Sequence, residues 1–487
     1  TVDLSEFSNQ EISITISGDI KITDKDNESY DVIWFINDVD ANLPELSRTE
    51  VKSEKWTHFM GEKILVIGEG KSLILSPAGM PVEDMTFALK NFEVKIQTES
   101  SMTSKNEKWL TATPLKEAYK DYFTFGFAVE YKGEFNNIDC QDGLIRHVDS
   151  ITLGNDFKPD FLFAWQKPTA KLTEYTDSTG KTTQVPALLP KFNDMDKILG
   201  LALMNNLKIR GHVLVWHSQT PLWFFKEGYS LDKNAPYVDR DPMTPRQEWY
   251  IKSVLEYVDN WEKSHKVKDH IVYCWDVVNE AARDGATDSR WLREDSDWFR
   301  VYGDETFIVN AFRFANKYAP KDVLLAYNDY GTYSGANMDK GGKTNAVLKI
   351  IDAIQACPDA RIDVMGMQSH VGINNPAVSG TNSYEQALQK FTAKGLDIHV
   401  TEFDMAIGSN KYSPIFMKSR YKDFFEMFLR NRKTEDKHGI SCVTIWGLTD
   451  ARTWLDAQKE NKGYKQHPVL FEGNDYKCKP AFYGVLE

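Results

Sequence analysis

The chain has 487 residues, and 58 Lys and Arg against 71 Asp and Glu give it a formal net charge of −13 at pH 7. Hydrophobic residues make up 41% and charged residues 26%, a composition typical of globular domains that excludes disorder for most of the chain. The acidic balance argues against nucleic acid or an anionic membrane surface as a partner, and no apolar run approaches the roughly 18 residues of a transmembrane segment.

Aromatic residues are abundant at 13%, with 13 Trp and 21 Tyr. Flat rings bind the C–H faces of sugars, although a packed aromatic core accounts for most such residues. The five cysteines are odd in number and far apart, which predicts neither a disulfide framework nor a metal site, and no cofactor is expected. A bridge between Cys442 and Cys478 stays open. The first residues, from Thr1, do not form the basic and apolar leader of a signal peptide.

The first part of the chain, residues 1–110, predicts a small all-β, sandwich-like module. Short apolar runs are separated by Gly, Asp, Asn and Pro turn signals. Its last expected strands, at 85–94, resemble the closing strands of jelly-roll carbohydrate-binding modules. Trp34 and Trp56 are candidate sugar platforms, with core packing as the alternative. The polar stretch 98–107 is predicted to be a linker. The apolar runs lie at 12–16, 20–22, 32–35, 64–67, 73–75, 87–89 and 92–96.

From residue 111 to the C-terminus, short apolar strands alternate with amphipathic helices. The clearest helix is predicted over 245–262, with Thr244 as its cap and Pro245 in its first turn. Other helices are predicted near 192–205, 304–318, 341–356, 383–393 and 413–431. Eight strands are predicted at 123–130, 148–155, 209–217, 272–280, 323–330, 363–370, 396–404 and 442–450.

Eight strands alternating with helices over residues 111–487 predict an α/β fold, a (β/α)8 TIM barrel. A doubly wound sheet is the alternative, but it would need an early glycine-rich phosphate loop that the sequence lacks. In a barrel of this kind the active site lies at the carboxyl ends of the strands. The residues that the sequence places there are Asn155, His217, Glu280, Tyr330, His370, Glu402 and Asp450.

Two carboxylates, Glu280 and Glu402, end or nearly end the fourth and seventh predicted strands and should face each other across the barrel mouth. Glycoside hydrolysis needs such a pair, with one carboxyl group protonated to donate to the leaving oxygen and the other ionised. Either residue alone would fit an ordinary ion pair, but the two together favour catalysis. Trp, His and Gln residues around them can stack on sugar rings and bind hydroxyls.

Six motifs occur in this part of the chain: RGHVLVWHSQ at 210–219, WDVVNEA at 275–281, NDY at 328–330, QSH at 368–370, TEFD at 401–404 and WGLTD at 446–450. In order and spacing they resemble glycoside hydrolase family 10, the endo-β-1,4-xylanases. The resemblance runs from about Leu115 to the C-terminus. It implies retaining double displacement on xylan or xylo-oligosaccharides, in a secreted, periplasmic or cell-surface location.

The resemblance also implies a role for each matching residue. Glu280 corresponds to the general acid/base and Glu402 to the nucleophile, with Asn279 bonding the sugar 2-hydroxyl. His370 and Asp404 correspond to the residues that keep Glu402 ionised, and Gln368 is a further supporting residue. The implied sugar-binding residues are His212, Trp216, Gln219, Trp446 and Trp454 before the scissile bond, Asn155 and Lys158 in the neighbouring subsite, and Tyr330 just past the bond.

The sequence departs from the family where the second strand ends. Gly154 stands where the family has Glu, so a carboxylate for the second sugar on the non-reducing side is missing, and Asp156 is a candidate replacement. The long stretch 166–190 predicts an inserted hairpin beside that subsite, and we hypothesise that the vacated space admits a xylan substituent. The loop that begins at Gly331 also differs.

Two other functions stay open beside that of a xylanase. One is a similar barrel enzyme for another β-1,4-glycan. The other is a xylan-binding protein without catalysis, which the presence of both glutamates disfavours. The sequence leaves the oligomeric state undetermined.

Overall fold

The structure, a computed structural model, describes residues 4–7, 10–23, 29–37, 45–66, 74–78, 86–98, 107–163, 172–186, 192–410, 412–461 and 463–487. Most of the predicted linker and both flanks of the predicted hairpin lie outside these residues. Within the described residues the chain forms a β-rich N-terminal part and a closed barrel.

The N-terminal part consists of six strands: β1 Glu11–Thr23, β2 Ser29–Asn37, β3 Glu45–Lys52, β4 Thr57–Val66, β5 Ile74–Ala78 and β6 Thr86–Thr98. They form two three-stranded antiparallel sheets, ordered β4-β1-β6 and β3-β2-β5. The even-numbered isoleucines of β1, from Ile12 to Ile22, are buried, which is the alternation expected of a strand with one covered face. The predicted β-rich module is therefore confirmed.

Aromatic side chains join the two sheets of this module. Trp34 on β2 is only 3% exposed and stacks on Phe59 of β4, with 4.8 Å between ring centroids. Trp34 is therefore a core residue and not a sugar platform. Trp56 is 44% exposed, and the Lys90 ammonium lies 4.3 Å from its ring centroid. Strand β3 was not predicted because only Leu46, Ser47 and Val51 of its eight residues are buried and its sequence is mostly polar.

The second part is a closed barrel of eight parallel strands, as predicted. These strands are β7 Thr124–Val129, β8 Ser150–Leu153, β11 Lys208–Gly211, β13 Val272–Asn279, β14 Leu324–Asp329, β15 Val364–Met367, β17 Asp397–Ala406 and β18 Ile440–Ile445. Each strand pairs with the next, and β18 pairs with β7 to close the sheet. Closure brings the carboxyl ends of all eight strands to one mouth.

Helices surround the barrel, and this part of the chain also contains shorter strands. The helices are Leu115–Tyr119, Ile138–His147, Pro159–Leu162, Asn193–Met204, Arg240–Ser264, Asp297–Tyr302, Thr306–Tyr318, Gly342–Gln355, Tyr384–Thr392, Pro414–Arg430 and Pro480–Leu486. The shorter strands are β9 Leu172–Thr176, β10 Thr182–Pro186, β12 Val215–Trp216, β16 His370–Gly372, β19 Phe471–Glu472 and β20 Lys477–Cys478.

The longest helix begins five residues earlier than its sequence predicted. It spans Arg240–Ser264, so Pro245 lies inside it and Thr244 does not cap it. The Thr244 hydroxyl instead donates to the Arg240 carbonyl oxygen, at 3.0 Å. Arg240 is fixed by an ion pair with Asp304, at 3.0 Å, which favours this earlier start.

A charged cluster lies inside the barrel below the mouth. Arg210 and Asp276 are almost completely buried and form a bidentate ion pair. The Arg210 Nε–H donates to His399 Nδ1 at 3.2 Å, and His212 Nδ1 lies 2.9 Å from the Asp276 carboxylate. Burial opposes ionisation of Asp276, but Arg210 and His212 more than compensate, and the pKa of Asp276 stays below its usual value.

All five cysteines are free thiols, so the bridge between Cys442 and Cys478 is not formed. Among the described residues, no helix is long and apolar enough to cross a membrane. The same part of the chain contains no cluster of three or more His, Cys, Asp or Glu side chains suited to a metal ion.

Candidate active site

Glu280 directly follows β13 and points into the barrel mouth. Its backbone has a φ of 57°, in the left-handed region that non-glycine residues rarely adopt. The Trp216 indole Nε1–H donates to Glu280 Oε2 at 2.9 Å, and the Gln368 amide donates to Oε1 at 2.8 Å. A left-handed backbone at a non-glycine residue is strained and persists only where the surrounding contacts maintain it. Such positions are common at functional sites.

Glu402 lies on β17 and is only 5% exposed. The Asn328 amide donates to its Oε1 at 2.8 Å, and His370 Nε2 lies 3.1 Å from its Oε2. Burial alone would raise the pKa of Glu402, but the hydrogen bond with His370 and the electrostatic influence of His212 and His370 together outweigh it and hold the pKa below its usual value. Glu402 is therefore ionised at neutral pH.

His370 lies between two carboxylates. Its Nδ1 lies 2.8 Å from Asp404 Oδ1, and its Nε2 contacts Glu402. Burial opposes the charged imidazolium, yet these two carboxylates raise the pKa of His370 to about 10. The Trp454 indole N–H donates to the other Asp404 oxygen at 2.8 Å and fixes the carboxylate in this orientation.

Side-chain amides connect the two glutamates. Gln368 Nε2 donates to Glu280 and also to Asn279 Oδ1, the latter at 3.1 Å. Asn328 Nδ2 donates to Glu402 and also to Asn279 Oδ1, at 3.0 Å. Asn279 is thus held midway between the two glutamates. Its carbonyl oxygen accepts both amides, and its Nδ2 donates to Glu280 Oε1 at 3.3 Å.

The position of Asn328 depends on a glycine in the neighbouring strand. A Cβ atom at Gly366 of β15 would lie 2.4 Å from Asn328 Oδ1, which is too close for real atoms. That oxygen accepts the Thr401 hydroxyl at 2.7 Å, and this bond orients the amide nitrogen of Asn328 towards Glu402.

A second network runs from Glu280 along one wall of the mouth. The Lys158 ammonium lies 4.7 Å from the centroid of the Trp216 ring. It donates to Asn155 Oδ1 at 3.2 Å and to Gln219 Oε1 at 3.0 Å. Burial lowers the pKa of Lys158, and the nearby carboxylates of Glu402, Glu130 and Glu280 partly offset this.

Aromatic and histidine rings form the other wall. The Trp446 ring centroid lies 5.7 Å from that of His212 and 6.2 Å from that of His370. Trp454 packs edge-on against His370 at 4.9 Å and remains 39% exposed. The mouth therefore presents indole surfaces beside two carboxylates, an arrangement suited to a sugar chain.

Tyr330 lies on the opposite side of Glu280. Its hydroxyl donates to Asp284 and accepts from Arg293 Nη2 at 2.8 Å. The Lys343 ammonium lies 3.3 Å from the ring centroid, and Arg293 Nε also donates to the carbonyl oxygen of Glu280 at 2.9 Å. These contacts hold the ring rigidly next to Glu280.

Asp450 and His217, two of the residues predicted at the strand ends, have surroundings that differ from those of the other predicted site residues. Asp450 is buried against Lys479 of the C-terminal segment, with 2.7 Å between Oδ2 and Nζ. His217 is 3.8 Å from Glu280 Oε2, but burial and the Arg293 charge lower the pKa of its ring to about 4, so it carries no charge at neutral pH. The structure brings the other predicted site residues together around Glu280 and Glu402.

The sequence interpretation missed several residues of this site. Asn328 belongs to the motif NDY and lies next to the last residue of β14, which is a usable signal for a site residue. Arg293 lies in the loop after β13 and Lys343 in the first turn of the helix Gly342–Gln355, and no sequence pattern indicates them. Glu130 follows β7 and contacts Asn155, with 2.8 Å between Oε1 and Nδ2.

The surroundings of Gly154 differ from those that the sequence suggested. Asp156 does not turn towards Gly154, because its carboxylate accepts the Tyr131 backbone N–H at 2.9 Å. The inserted hairpin exists as β9 and β10. Its described hydrogen bonds, however, include those to the helix Arg240–Ser264, where Ser178 donates to Glu248 at 3.0 Å, and to Tyr229, whose hydroxyl donates to the Gln184 carbonyl oxygen at 2.9 Å. The described part of the hairpin therefore gives no support for a side-chain pocket beside Gly154.

Comparisons with known proteins agree with this geometry. Endo-1,4-beta-xylanase Y of Acetivibrio thermocellus is 33% identical over 397 residues, which cover 80% of this chain and 33% of that protein. Endo-1,4-beta-xylanase B of Butyrivibrio fibrisolvens is 34% identical over 377 residues, which cover 77% of this chain and 53% of that protein. This chain thus spans about a third to a half of the length of these curated relatives.

Solved structures show the same architecture. The CBM22-1–GH10 modules of Clostridium thermocellum endo-1,4-beta-D-xylanase 10B, complexed with xylohexaose, match 98% of this chain and 85% of their own, with a TM-score of 0.61 and 27% identity. GH10 from Paenibacillus barcinonensis matches 77% of this chain and 97% of its own, with the same TM-score and identity. The family model of glycosyl hydrolase family 10 matches residues 114–487, which is well over half of the sequence. The chain belongs to glycosyl hydrolase family 10.

Proposed function

We propose that this protein is an endo-1,4-β-xylanase that hydrolyses xylan and xylo-oligosaccharides with retention of anomeric configuration. The observation that carries the proposal is the unequal pair of glutamates at the barrel mouth. His370 holds Glu402 ionised, whereas Glu280 is bound by neutral amide and indole donors. Two carboxyl groups in such different environments can serve as nucleophile and acid/base.

The first step uses both groups. Glu402 attacks the anomeric carbon and forms a glycosyl ester, while the bond from that carbon to the leaving oxygen breaks. Glu280 gives its proton to that oxygen. In the second step water attacks the same carbon, Glu280 takes the proton, and Glu402 leaves as a carboxylate. Asn279, between the two glutamates, is placed to bond the 2-hydroxyl of the reacting sugar.

The proposal extends to the organisation of the chain. We infer an accessory module at 1–110 and a catalytic domain at 111–487, because a solved structure with a CBM22 and a GH10 module matches 98% of this chain. A polymeric substrate cannot cross a membrane, so a location outside the cytoplasm is part of the same proposal. A barrel enzyme for another β-1,4-glycan is the second candidate, because both glutamates would be kept.

Azide rescue tests the retaining mechanism. Glu280→Ala should cleave an activated aryl β-xylobioside slowly, and azide should accelerate this reaction and yield the β-glycosyl azide, because azide attacks the glycosyl ester from the face that Glu280 vacates. Product configuration is read by NMR. Wild-type enzyme with azide is the control and should give xylobiose. An α-azide from Glu280→Ala would mean direct inversion and would overturn the proposal.

Sugar choice is expected to depend on Trp454. Xylose lacks the hydroxymethyl group of glucose, and a large indole beside His370 can exclude that group sterically. Trp454→Ala also removes the donor to Asp404, so activity on both sugars should fall. The ratio of kcat/KM on aryl cellobioside to that on aryl xylobioside should nevertheless rise, by roughly tenfold. An unchanged ratio would show that the indole does not select the sugar.

A further inference from the structure

Glu130 occupies the space that a side chain at residue 154 would need. A Cβ atom built on Gly154 would lie 2.4 Å from Glu130 Oε1 and 3.3 Å from its Cδ. Gly154 does not have a positive φ, so its backbone would accept any residue except proline, which could not donate to the Val129 carbonyl oxygen as the Gly154 N–H does at 2.9 Å. The side chain of Glu130, and not the backbone, therefore excludes a larger residue at this position.

Glu130 is held in this place from two sides. Its backbone N–H donates to Glu134 Oε2 at 2.9 Å, and Glu134 is paired with Arg452, with 3.3 Å between Oε1 and Nη1. Its carboxylate accepts the Asn155 amide, whose own oxygen accepts Lys158 and Gln219. Glu130 thus belongs to the same network as Asn155 and Lys158.

Glu130 also faces an open cavity of about 190 Å³. Gly154, Trp446 and Trp454 line the same cavity. Indole surfaces on one side and a carboxylate on the other are what a sugar ring requires, because the indoles stack on C–H groups and the carboxylate accepts hydroxyl protons. The cavity adjoins the mouth that contains Glu280 and Glu402.

We propose that Glu130 is a sugar-binding residue, which accepts hydroxyl groups of the second sugar on the non-reducing side of the scissile bond. The inference rests on the proposed xylanase function. It assigns to the end of β7 a carboxylate that the sequence suggested was missing from the end of β8. Gly154 is then the residue that makes room for it, and the site keeps its carboxylate in place of a pocket for a substituent.

Charges around Glu130 make this contact dependent on pH. Burial raises the pKa of Glu130 to about 7, and the carboxylates of Asp156 and Glu134 add to this, against the Asn155 amide and the Lys158 ammonium. Sugar hydroxyls donate more strongly to an ionised carboxylate. Binding in this subsite should therefore weaken as the pH falls through about 7.

Two substrates separate this subsite from the rest of the site. An aryl β-xyloside fills only the subsite next to the scissile bond, whereas an aryl β-xylobioside also fills its outer neighbour. At pH 8, Glu130→Ala is expected to lower the ratio of kcat/KM on the xylobioside to that on the xyloside by roughly 10- to 100-fold, the range for a hydrogen bond to a charged group. Asp156→Asn, which keeps an acceptor for Tyr131, is the matched control and should keep the wild-type ratio.

A relocated carboxylate provides the second test. Glu130→Ala removes the atoms that block residue 154, so Glu130→Ala with Gly154→Glu should raise the ratio about tenfold above that of Glu130→Ala alone. Gly154→Glu in the presence of Glu130 should not raise it, because the two side chains collide. The wild-type ratio should fall between pH 8 and pH 6, and this fall should be absent in Glu130→Ala.

The outcomes distinguish this inference from the proposed function. If the wild-type protein cleaves neither aryl substrate nor xylan, the proposed function fails. If the wild-type protein cleaves both aryl substrates and Glu130→Ala lowers kcat/KM on the two by the same factor, Glu130 supports the fold or the whole site. The inference is then overturned. An unchanged ratio in Glu130→Ala would overturn it as well.

Discussion

Glu402→Gln is expected to lower kcat/KM on an aryl β-xylobioside by several orders of magnitude, about 10⁴-fold or more, because in the proposed mechanism it removes the oxygen that forms the glycosyl ester. The Gln side chain has almost the same volume, so the fold should persist. The imidazolium of His370 would lose one of its two anionic partners, and the pKa of His370 should fall from its raised value. Steady-state kinetics and NMR titration of the imidazole measure the two effects.

The matched control for this variant is Glu117→Gln, on the surface of the barrel. Glu117 pairs loosely with Lys120 at 3.9 Å, and both side chains are more than half exposed. Its loss should leave kcat/KM unchanged. Activity of Glu402→Gln within tenfold of the wild type would show that another group forms the covalent intermediate.

Asp276→Ala should strongly lower the free energy of unfolding, because it leaves the charge of Arg210 buried without its carboxylate partner. Arg210 is 1% exposed and Asp276 is 0% exposed. Breaking one side of a buried ion pair costs roughly 3–5 kcal/mol in the free energy of unfolding. Thermal or urea unfolding of the whole chain measures this loss.

Replacing both partners separates the effect of charge from that of packing. Asp276→Leu with Arg210→Met removes both charges and should unfold at a higher temperature than Asp276→Ala. Asp352→Ala is the surface control: its partner Lys394 is 34% exposed and Asp352 itself is 54% exposed, so the unfolding temperature should barely change. If Asp276→Ala were as stable as the wild type, the buried ion pair between Arg210 and Asp276 would not be needed to stabilise the barrel.

The barrel and much of the candidate site could be predicted because their signals are local. Each barrel strand is a short apolar run, and residues such as Glu280 and His370 follow such runs directly. The start of the helix Arg240–Ser264 could not be predicted, because contacts from Arg240 to residues 62 and 64 positions away compete with a good local capping sequence. Strand β3 was missed because sheet pairing overrides its polar composition.

Glu130 shows the limit of this approach most clearly. The sequence shows that Gly154 has no side chain, but it does not show what fills the space. That depends on the register between β7 and β8, which aligns Val129 with Leu153 and so brings Glu130 and Gly154 side by side. The side chain of Glu130 thus fills the space beside Gly154, 24 positions further along the chain. No pattern along either strand indicates this contact.

The arrangement of side chains at the barrel mouth depends on Gly366, a residue of the neighbouring strand β15. It touches neither of the glutamates, yet the amide of Asn328 can reach Glu402 only because Gly366 presents a bare backbone to it. Even a methyl group there would press on the amide, and the disturbance would reach Glu402 and Asn279 through bonds that already exist. The hydrogen bonding of the Glu402 carboxylate thus depends partly on the missing side chain in the adjacent strand, which inspection of the residues at the barrel mouth alone would overlook.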